Sequence, residues 1–280
     1  MAVFVFDLDG TICFSGNEIA DPILQQLWTL IAPDRVVIAS ARHPVNIMEV
    51  LPSGLFERFD IIGANGAVGY QKGKLVYGAA LEGRGVLRIL AELDRLNCAY
   101  LAYGTDFVVF SPAFHSLHAR VEVNIGPLLR VGDASDYDSV IKILVLPTDP
   151  DGKALSFCQD VGGHSLFAHQ DGTFDIMARG ITKAGGLLAL GYSFPVDAAF
   201  GNDSNDVPLL RIAKEAVCVG DHAAARSEAD HLIEDGPNLA SRVAAKIAQI
   251  RLVVASPHGN LAGQPATGYG STLRPGNPIP

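Results

Sequence analysis

Residues 2–11, Ala-Val-Phe-Val-Phe-Asp-Leu-Asp-Gly-Thr, decide the fold. Positions 2–6 are continuously apolar and rich in Val and Phe, the pattern of a strand buried on both faces of a parallel sheet. The run stops at Asp7 and resumes acidity at Asp9. Residues i and i+2 of a strand point to the same side, so both carboxylates are expected to face one spot. That spot lies at the carboxyl end of the strand, where open α/β sheets bind ligands. Two carboxylates there repel, which favours a shared metal or one raised pKa. Gly10 and Thr11 permit a tight turn away from the strand. The plainer alternative is a strand that ends in an acidic turn.

Outward from this stretch, strands and helices alternate. Asp21-Pro22 opens a helix with Ile23, Leu24, Leu27, Leu30 and Ile31 at helical spacing. Residues 35–39 (RVVIA) read as a second buried strand, 44–51 as a short helix and 59–63 as a third strand. The rhythm is that of βαβ units. Past Gly63 it changes: short strands at 66–70 and 74–77 flank a Gln-Lys-Gly turn, and a helix covers about 84–96. Strand-like runs follow at 99–102, 107–110, 142–146, 165–169 and 174–178. The α/β pattern returns with a helix at 182–190, a strand at 196–200, a helix at 206–214, a strand at 216–219, and helices near 223–229 and 239–250.

The expected architecture is therefore α/β, a doubly wound parallel-sheet core interrupted by an α+β domain. The core is expected at 1–79 and 180–255, with the insert at 80–179. Residues 256–280 hold five Gly, five Pro and a single charge. They read as a flexible tail that buries too little to offset its ordering entropy.

The chain has 280 residues, 49% of them hydrophobic and 18% charged, ample for a packed core. Its formal charge of −9 argues against general affinity for nucleic acid or anionic membrane. A phosphate site here must carry its own local positive charge, from a metal, a lysine or a helix N-terminus. Cys13, Cys98, Cys158 and Cys218 form no CxxC pair, so reduced, buried thiols in a cytoplasmic protein are expected. The N-terminus reaches an acid by position 7 without a basic leader, and no stretch approaches about 20 apolar residues, so neither signal peptide nor membrane span is expected.

Three further groups of residues stand where the pattern places strand ends or helix starts. Ser40-Ala41-Arg42 directly follows RVVIA, where a hydroxyl could bond a phosphate oxygen, although such a serine is commonly a cap. Lys183 opens the helix that resumes the core. Gly201-Asn202-Asp203-Ser204-Asn205-Asp206 follows the strand VDAAF.

Together these runs resemble the four signatures of the haloacid dehalogenase superfamily, in family order over roughly residues 1–250. The resemblance is closest to the Cof-type branch of sugar-phosphate phosphatases, which carries an α+β cap between its second and third signatures. It implies a HAD-like, Rossmannoid core and a magnesium-dependent phosphatase acting on a small phosphorylated metabolite. It makes Asp7 the nucleophile, Asp9 the general acid and base, and Lys183 the group offsetting phosphoryl charge. Gly10, Ser40, Ala41, Arg42, Asn65 and Asn205 are then the phosphate- and substrate-binding residues. Asp7, Asp9, Asn202, Asp203 and Asp206 supply the Mg2+ ligands.

The family pattern is Gly-Asp-x-x-Asn-Asp, so Asn202 stands where an aspartate is expected. Either its amide oxygen is a neutral ligand or Asp203 turns inward to replace it. The alternatives to a phosphatase are a phosphomutase and a homologue that binds a phosphorylated ligand without turnover; a homo-oligomer is compatible with the sequence. His115, His118, His164 and His169 lack metal-site partners and are expected to be partly exposed structural residues. Trp28 is expected in the core.

Overall fold

The computed structural model describes residues 1–123, 129–147, 151–169 and 171–255. The expected tail at 256–280 lies outside the described residues. The chain forms two compact units, Met1–Ile38 with the chain from Ser193 onward, and Ala39–Tyr192. The expected insert, 80–179, lies wholly inside the second unit.

The first unit is built on parallel strands. Val3–Phe6 pairs with Arg35–Ala39 on one side and Val196–Gly201 on the other. Beyond the latter lie Ala213–Val219 and then His231–Ile233, all parallel. The strand bearing the acids is thus flanked by its sequence neighbour on one edge and by a strand from far along the chain on the other. That reversal of strand order is the topological switch at which doubly wound sheets open their ligand crevice. Phe4, Val5 and Phe6 are fully buried, and Phe6 stacks on Phe200 with ring centroids 4.8 Å apart. Helix Asp21–Leu30 packs on helix Leu239–Ala255 and buries Ile23, Leu27 and Leu30. Trp28 is not in the core: it is 42% exposed, because it follows Leu27 by about 100° around the helix and leaves the buried stripe.

A helix was expected at 206–214, yet the chain makes a tight turn at Ser204–Asp206, a short helix at Val207–Arg211, and then strand Ala213–Val219. The sheet wins here: Val196 N–H donates to the Ile212 carbonyl (2.9 Å), so the ladder claims this backbone where the helix would have continued.

In the second unit, Asp60–Gly63, Val68–Gln71 and Lys74–Gly78 form an antiparallel meander. A separate mixed sheet runs in the order His164–Ala168, Phe174–Ala178, Lys142–Val145, Tyr100–Tyr103, Phe107–Phe110, Arg130–Val131. All its pairs are antiparallel except the last. Alternation along Tyr100–Tyr103 assigns the two faces. Tyr100 and Ala102 join Ile143, Val145 and Ile176 beneath helices Gly83–Arg95 and Lys153–Val161. Leu101, Tyr103 and Val108 pack with Val121 on the opposite face.

Helices Ser116–Val123 and Lys153–Val161 were not expected from sequence. The first buries only His118 and Val121, the second only Ala154 and Cys158, so neither carries a long apolar stripe. His118 is buried, not partly exposed as expected, with its ring nitrogen 3.1 Å from the Tyr100 carbonyl. The four cysteines are buried, and none is in a disulfide among the described residues. Among the described residues no helix is long and apolar enough to cross a membrane.

Candidate active site

Asp7 sits just past the end of Val3–Phe6. Its N–H donates to the Phe200 carbonyl (2.9 Å), continuing the ladder by one residue. The chain then curls, with the N–H groups of Ile12 and Cys13 both donating to the Leu8 carbonyl at 3.0 and 2.8 Å. This turn separates the two acids in environment. Asp7 is buried, 4% exposed, and its Oδ2 accepts the Thr11 hydroxyl at 2.8 Å. Asp9 is exposed. Gly10 holds φ +77°, and a Cβ there would overlap the Asn202 amide. The turn therefore requires glycine both for its backbone and for the space.

The loop after Val196–Gly201 brings in the other side of this site. Asp206 is fully buried, and its Oδ2 accepts the N–H of Asn202 (2.9 Å) and of Asp203 (3.1 Å). It is a brace that shapes the loop. Asp203 is more than half exposed; it caps Ser204 N–H and lies 3.3 Å from His222 Nε2. Asn205 sits half-buried in the turn Ser204–Asp206. Asn202 is the residue beside the nucleophile candidate. One atom of its amide lies 3.0 Å from Asp7 Oδ2, 3.1 Å from the Asp9 main-chain oxygen and 3.2 Å from Thr11 Oγ1.

These donors fit a magnesium ion. Oxygen ligands at about 2.0–2.1 Å in octahedral geometry stand about 2.9 Å from one another. With its oxygen turned inward, Asn202 meets Asp7 Oδ2 and the Asp9 carbonyl at 3.0 and 3.1 Å, two edges of such an octahedron. Among the described residues no three His, Cys, Asp or Glu side chains gather as a metal would need. The set consists of one carboxylate, one main-chain carbonyl and one amide.

In the second unit, Ser40, Ala41, Arg42, Asn65 and Lys183 belong to one knot of loops. Ser40 N–H donates to the Ile62 carbonyl (2.8 Å), Asn65 N–H to the Ser40 carbonyl (2.9 Å), and Ala64 N–H to the Arg42 carbonyl (2.8 Å). The buried Ser40 hydroxyl accepts Arg42 N–H at 3.1 Å. Ala64 and Asn65 both take the left-handed conformation, φ 49° and 53°, which costs on the order of 1–2 kcal/mol at the alanine. Gly66 then approaches the start of helix Lys183–Ala189 so closely that a Cβ would overlap the Thr182 carbonyl. Thr182 caps that helix, its hydroxyl accepting Gly185 N–H at 3.0 Å. Lys183 opens the helix with a side chain only 1% exposed, rare for lysine.

Sequence reading missed a polar cluster beside this loop, in which Lys142, Asp175 and His43 are buried and His169 is exposed. Lys142 Nζ lies 2.8 Å from Asp175 Oδ2 and donates to the Ala41 carbonyl at 2.9 Å. His169 Nε2 is 3.1 Å from the same Asp175 oxygen, which raises the imidazole pKa. His43 Nε2 meets the Gly104 carbonyl at 2.9 Å, and the ring stacks on Tyr103. Burial lowers the His43 pKa to about 4. The available signal was a lone charge inside each of two apolar strands, Lys142 in KILV and Asp175 in FDIMA.

The profile of the haloacid dehalogenase-like hydrolases matches residues 4–238, nearly the whole described chain. The chain belongs to this hydrolase family. No curated protein matches it. Among solved structures, TM0651 from Thermotoga maritima is similar with a TM-score of 0.74 and 20% identity, covering 89% of this chain and 97% of that one. BT1666 from Bacteroides thetaiotaomicron, described among phosphatases of the superfamily, gives 0.68 and 19%, covering 90% and 96%. The subclass IIB sugar phosphatase BT4131 gives 0.67 and 16%, covering 91% and 98%. At these identities the likeness establishes the fold.

Proposed function

We propose that this hydrolase is a magnesium-dependent phosphatase that cleaves a small phosphorylated metabolite of the sugar-phosphate class through an aspartyl-phosphate. The observation that carries the reading is the buried Asp7 carboxylate, placed at the sheet's switch point, oriented by Thr11 and flanked by the Asp9 carbonyl and the Asn202 amide. A carboxylate held in this way is positioned and partly desolvated, as a nucleophile needs.

The Thr11 hydroxyl holds the Asp7 carboxylate through Oδ2, and we assign the attack to this carboxylate. The bond from an Asp7 carboxylate oxygen to phosphorus forms as the bond from phosphorus to the substrate oxygen breaks, and the Asp9 carboxyl gives that oxygen its proton. Asp9 then takes a proton from water, whose oxygen bonds to phosphorus while the bond to Asp7 breaks, releasing inorganic phosphate and restoring both acids. Asp9 is the acid open to solvent, consistent with a group that exchanges protons with water in each turnover. Asp7, the Asp9 carbonyl and Asn202 would hold Mg2+, which when bound supplies positive charge against the anionic phosphoryl group. Lys183 contributes the same sign of charge, and Ser40, Arg42 and Asn65 are assigned to phosphate and substrate contacts.

The test is a panel of phosphorylated sugars and related metabolites assayed for inorganic phosphate release with Mg2+ and with chelator. Stoichiometric phosphate from one class, abolished by chelator, is expected. Return of the phosphoryl group to the sugar would mean a mutase, and silence across the panel would remove the enzymatic reading.

A further inference from the structure

We propose that the Asn202 amide is a two-position group that stands in for the cation when the site is metal-free and turns over to ligate it when the ion binds. The proposal rests on the metal-dependent reading of this site and goes beyond it.

The argument begins with the three neighbours of the amide. Asp7 Oδ2, the Asp9 main-chain oxygen and Thr11 Oγ1 lie 3.0, 3.1 and 3.2 Å from one amide atom. The first two are acceptors only, and the Thr11 proton is already directed to Asp7 Oδ2 at 2.8 Å. An amide oxygen facing them without an intervening cation would set acceptor against acceptor at the distance of a hydrogen bond. An amide NH2 in that place satisfies them instead. The same heavy-atom positions therefore serve both states: NH2 inward without metal, oxygen inward with it, related by a half-turn of the terminal amide. No backbone movement is needed, because the Asn202 N–H is fixed separately by Asp206 at 2.9 Å. The space for the outward end is the place where residue 10 has no Cβ.

An aspartate at 202 could not do this. Its carboxylate would stand about 3 Å from Asp7 with no proton to share, so the metal-free site would be repulsive and the ion would relieve it. Asparagine gives up attraction for the ion and gains a metal-free site that is already hydrogen-bonded. The substitution thus changes the stability of the empty state as well as the ion's affinity.

Two measurements on the full chain test this, using Mg2+ alone. In 15N-labelled protein the Asn202 side-chain NH2 pair, identified by its loss in Asn202→Asp, is expected to exchange slowly with water when metal-free. Saturating Mg2+ should shift this pair and speed its exchange. In thermal unfolding, Asn202→Asp is expected to lower the metal-free Tm by a few degrees, enlarge the Mg2+-induced rise, and tighten Mg2+ binding on the order of tenfold. Fast exchange of the NH2 pair in the metal-free protein overturns the proposal. So does Mg2+ binding, reported by the Gly10 amide, that leaves the Asn202 pair unmoved. An Asn202→Asp protein as stable without metal as the parent also counts against it. Failure of the phosphatase reading would look different: the amide would respond to Mg2+ while no substrate released phosphate.

Discussion

Replacing Lys142 by Met should be among the most damaging single changes in the second unit. Lys142 is 6% exposed and Asp175 fully buried. Their 2.8 Å pair is supplemented by the bond from Lys142 Nζ to the Ala41 carbonyl. Among the described residues Asp175 Oδ1 has no hydrogen-bond partner, so the carboxylate depends on what reaches Oδ2. Removing the ammonium leaves a buried charge with only His169 beside it, a loss of about 3–5 kcal/mol, and leaves the Ala41 carbonyl short of about 1 kcal/mol of hydrogen bond. Removing both charges in Lys142→Met/Asp175→Leu avoids the orphaned charge. The double variant should then be more stable than Lys142→Met alone, and the two single losses should exceed the double loss by about 2–3 kcal/mol. Guanidinium unfolding of the four proteins at pH 7 gives the cycle. Additive losses would refute the reasoning, since they would mean that the two groups do not depend on one another.

Further outcomes follow from individual contacts. His43 accepts Val45 N–H through one nitrogen and meets the Gly104 carbonyl with the other, an arrangement of the neutral ring. Its pKa falls from 6.5 to about 4 on folding, so its contribution is complete above pH 6.5 and lost as pH falls toward 4, about 3 kcal/mol in all. Guanidinium midpoints should slope downward over that window, and His43→Gln should flatten the slope. Gly66→Ala adds a Cβ at φ +114° against the Thr182 carbonyl, and should cost about 2–4 kcal/mol by chemical unfolding. Asp206→Ala leaves the N–H groups of Asn202 and Asp203 without their acceptor and should cost about 1–3 kcal/mol, with Mg2+ binding by calorimetry weakened because the Asn202 backbone loses its brace. An unchanged Mg2+ affinity would separate the brace from the metal site.

The sequence made the strand pattern legible wherever burial on both faces produced a continuous apolar run, as at residues 3–6 and 36–39, and at 196–200 where Asp197 alone interrupts it. The first acids, the serine after the second strand and the lysine at the helix start could be found because each sits where a regular element ends. Elements with little buried surface were illegible: Ser116–Val123 and Lys153–Val161 carry too short an apolar stripe to announce a helix. Strand spacing put Asp7 and Asp9 on one side but did not encode their different burial, which the turn past Leu8 sets by burying Asp7 and leaving Asp9 exposed. The orientation of Asp203, toward His222, depended on the brace from Asp206, a contact within the loop that spacing alone does not encode. The Lys142–Asp175 pair required the sheet register before its two lone charges could be matched.

The central claim is that Asp7 carries the phosphoryl group. The most direct measurement is an acid quench during steady turnover of p-nitrophenyl phosphate, followed by borohydride reduction, which converts an aspartyl-phosphate to homoserine, and peptide mass spectrometry. The account predicts homoserine at position 7, appearing with substrate and absent from Asp7→Asn, whose turnover should be lost. Homoserine at another acid, or undiminished hydrolysis by Asp7→Asn, would contradict it.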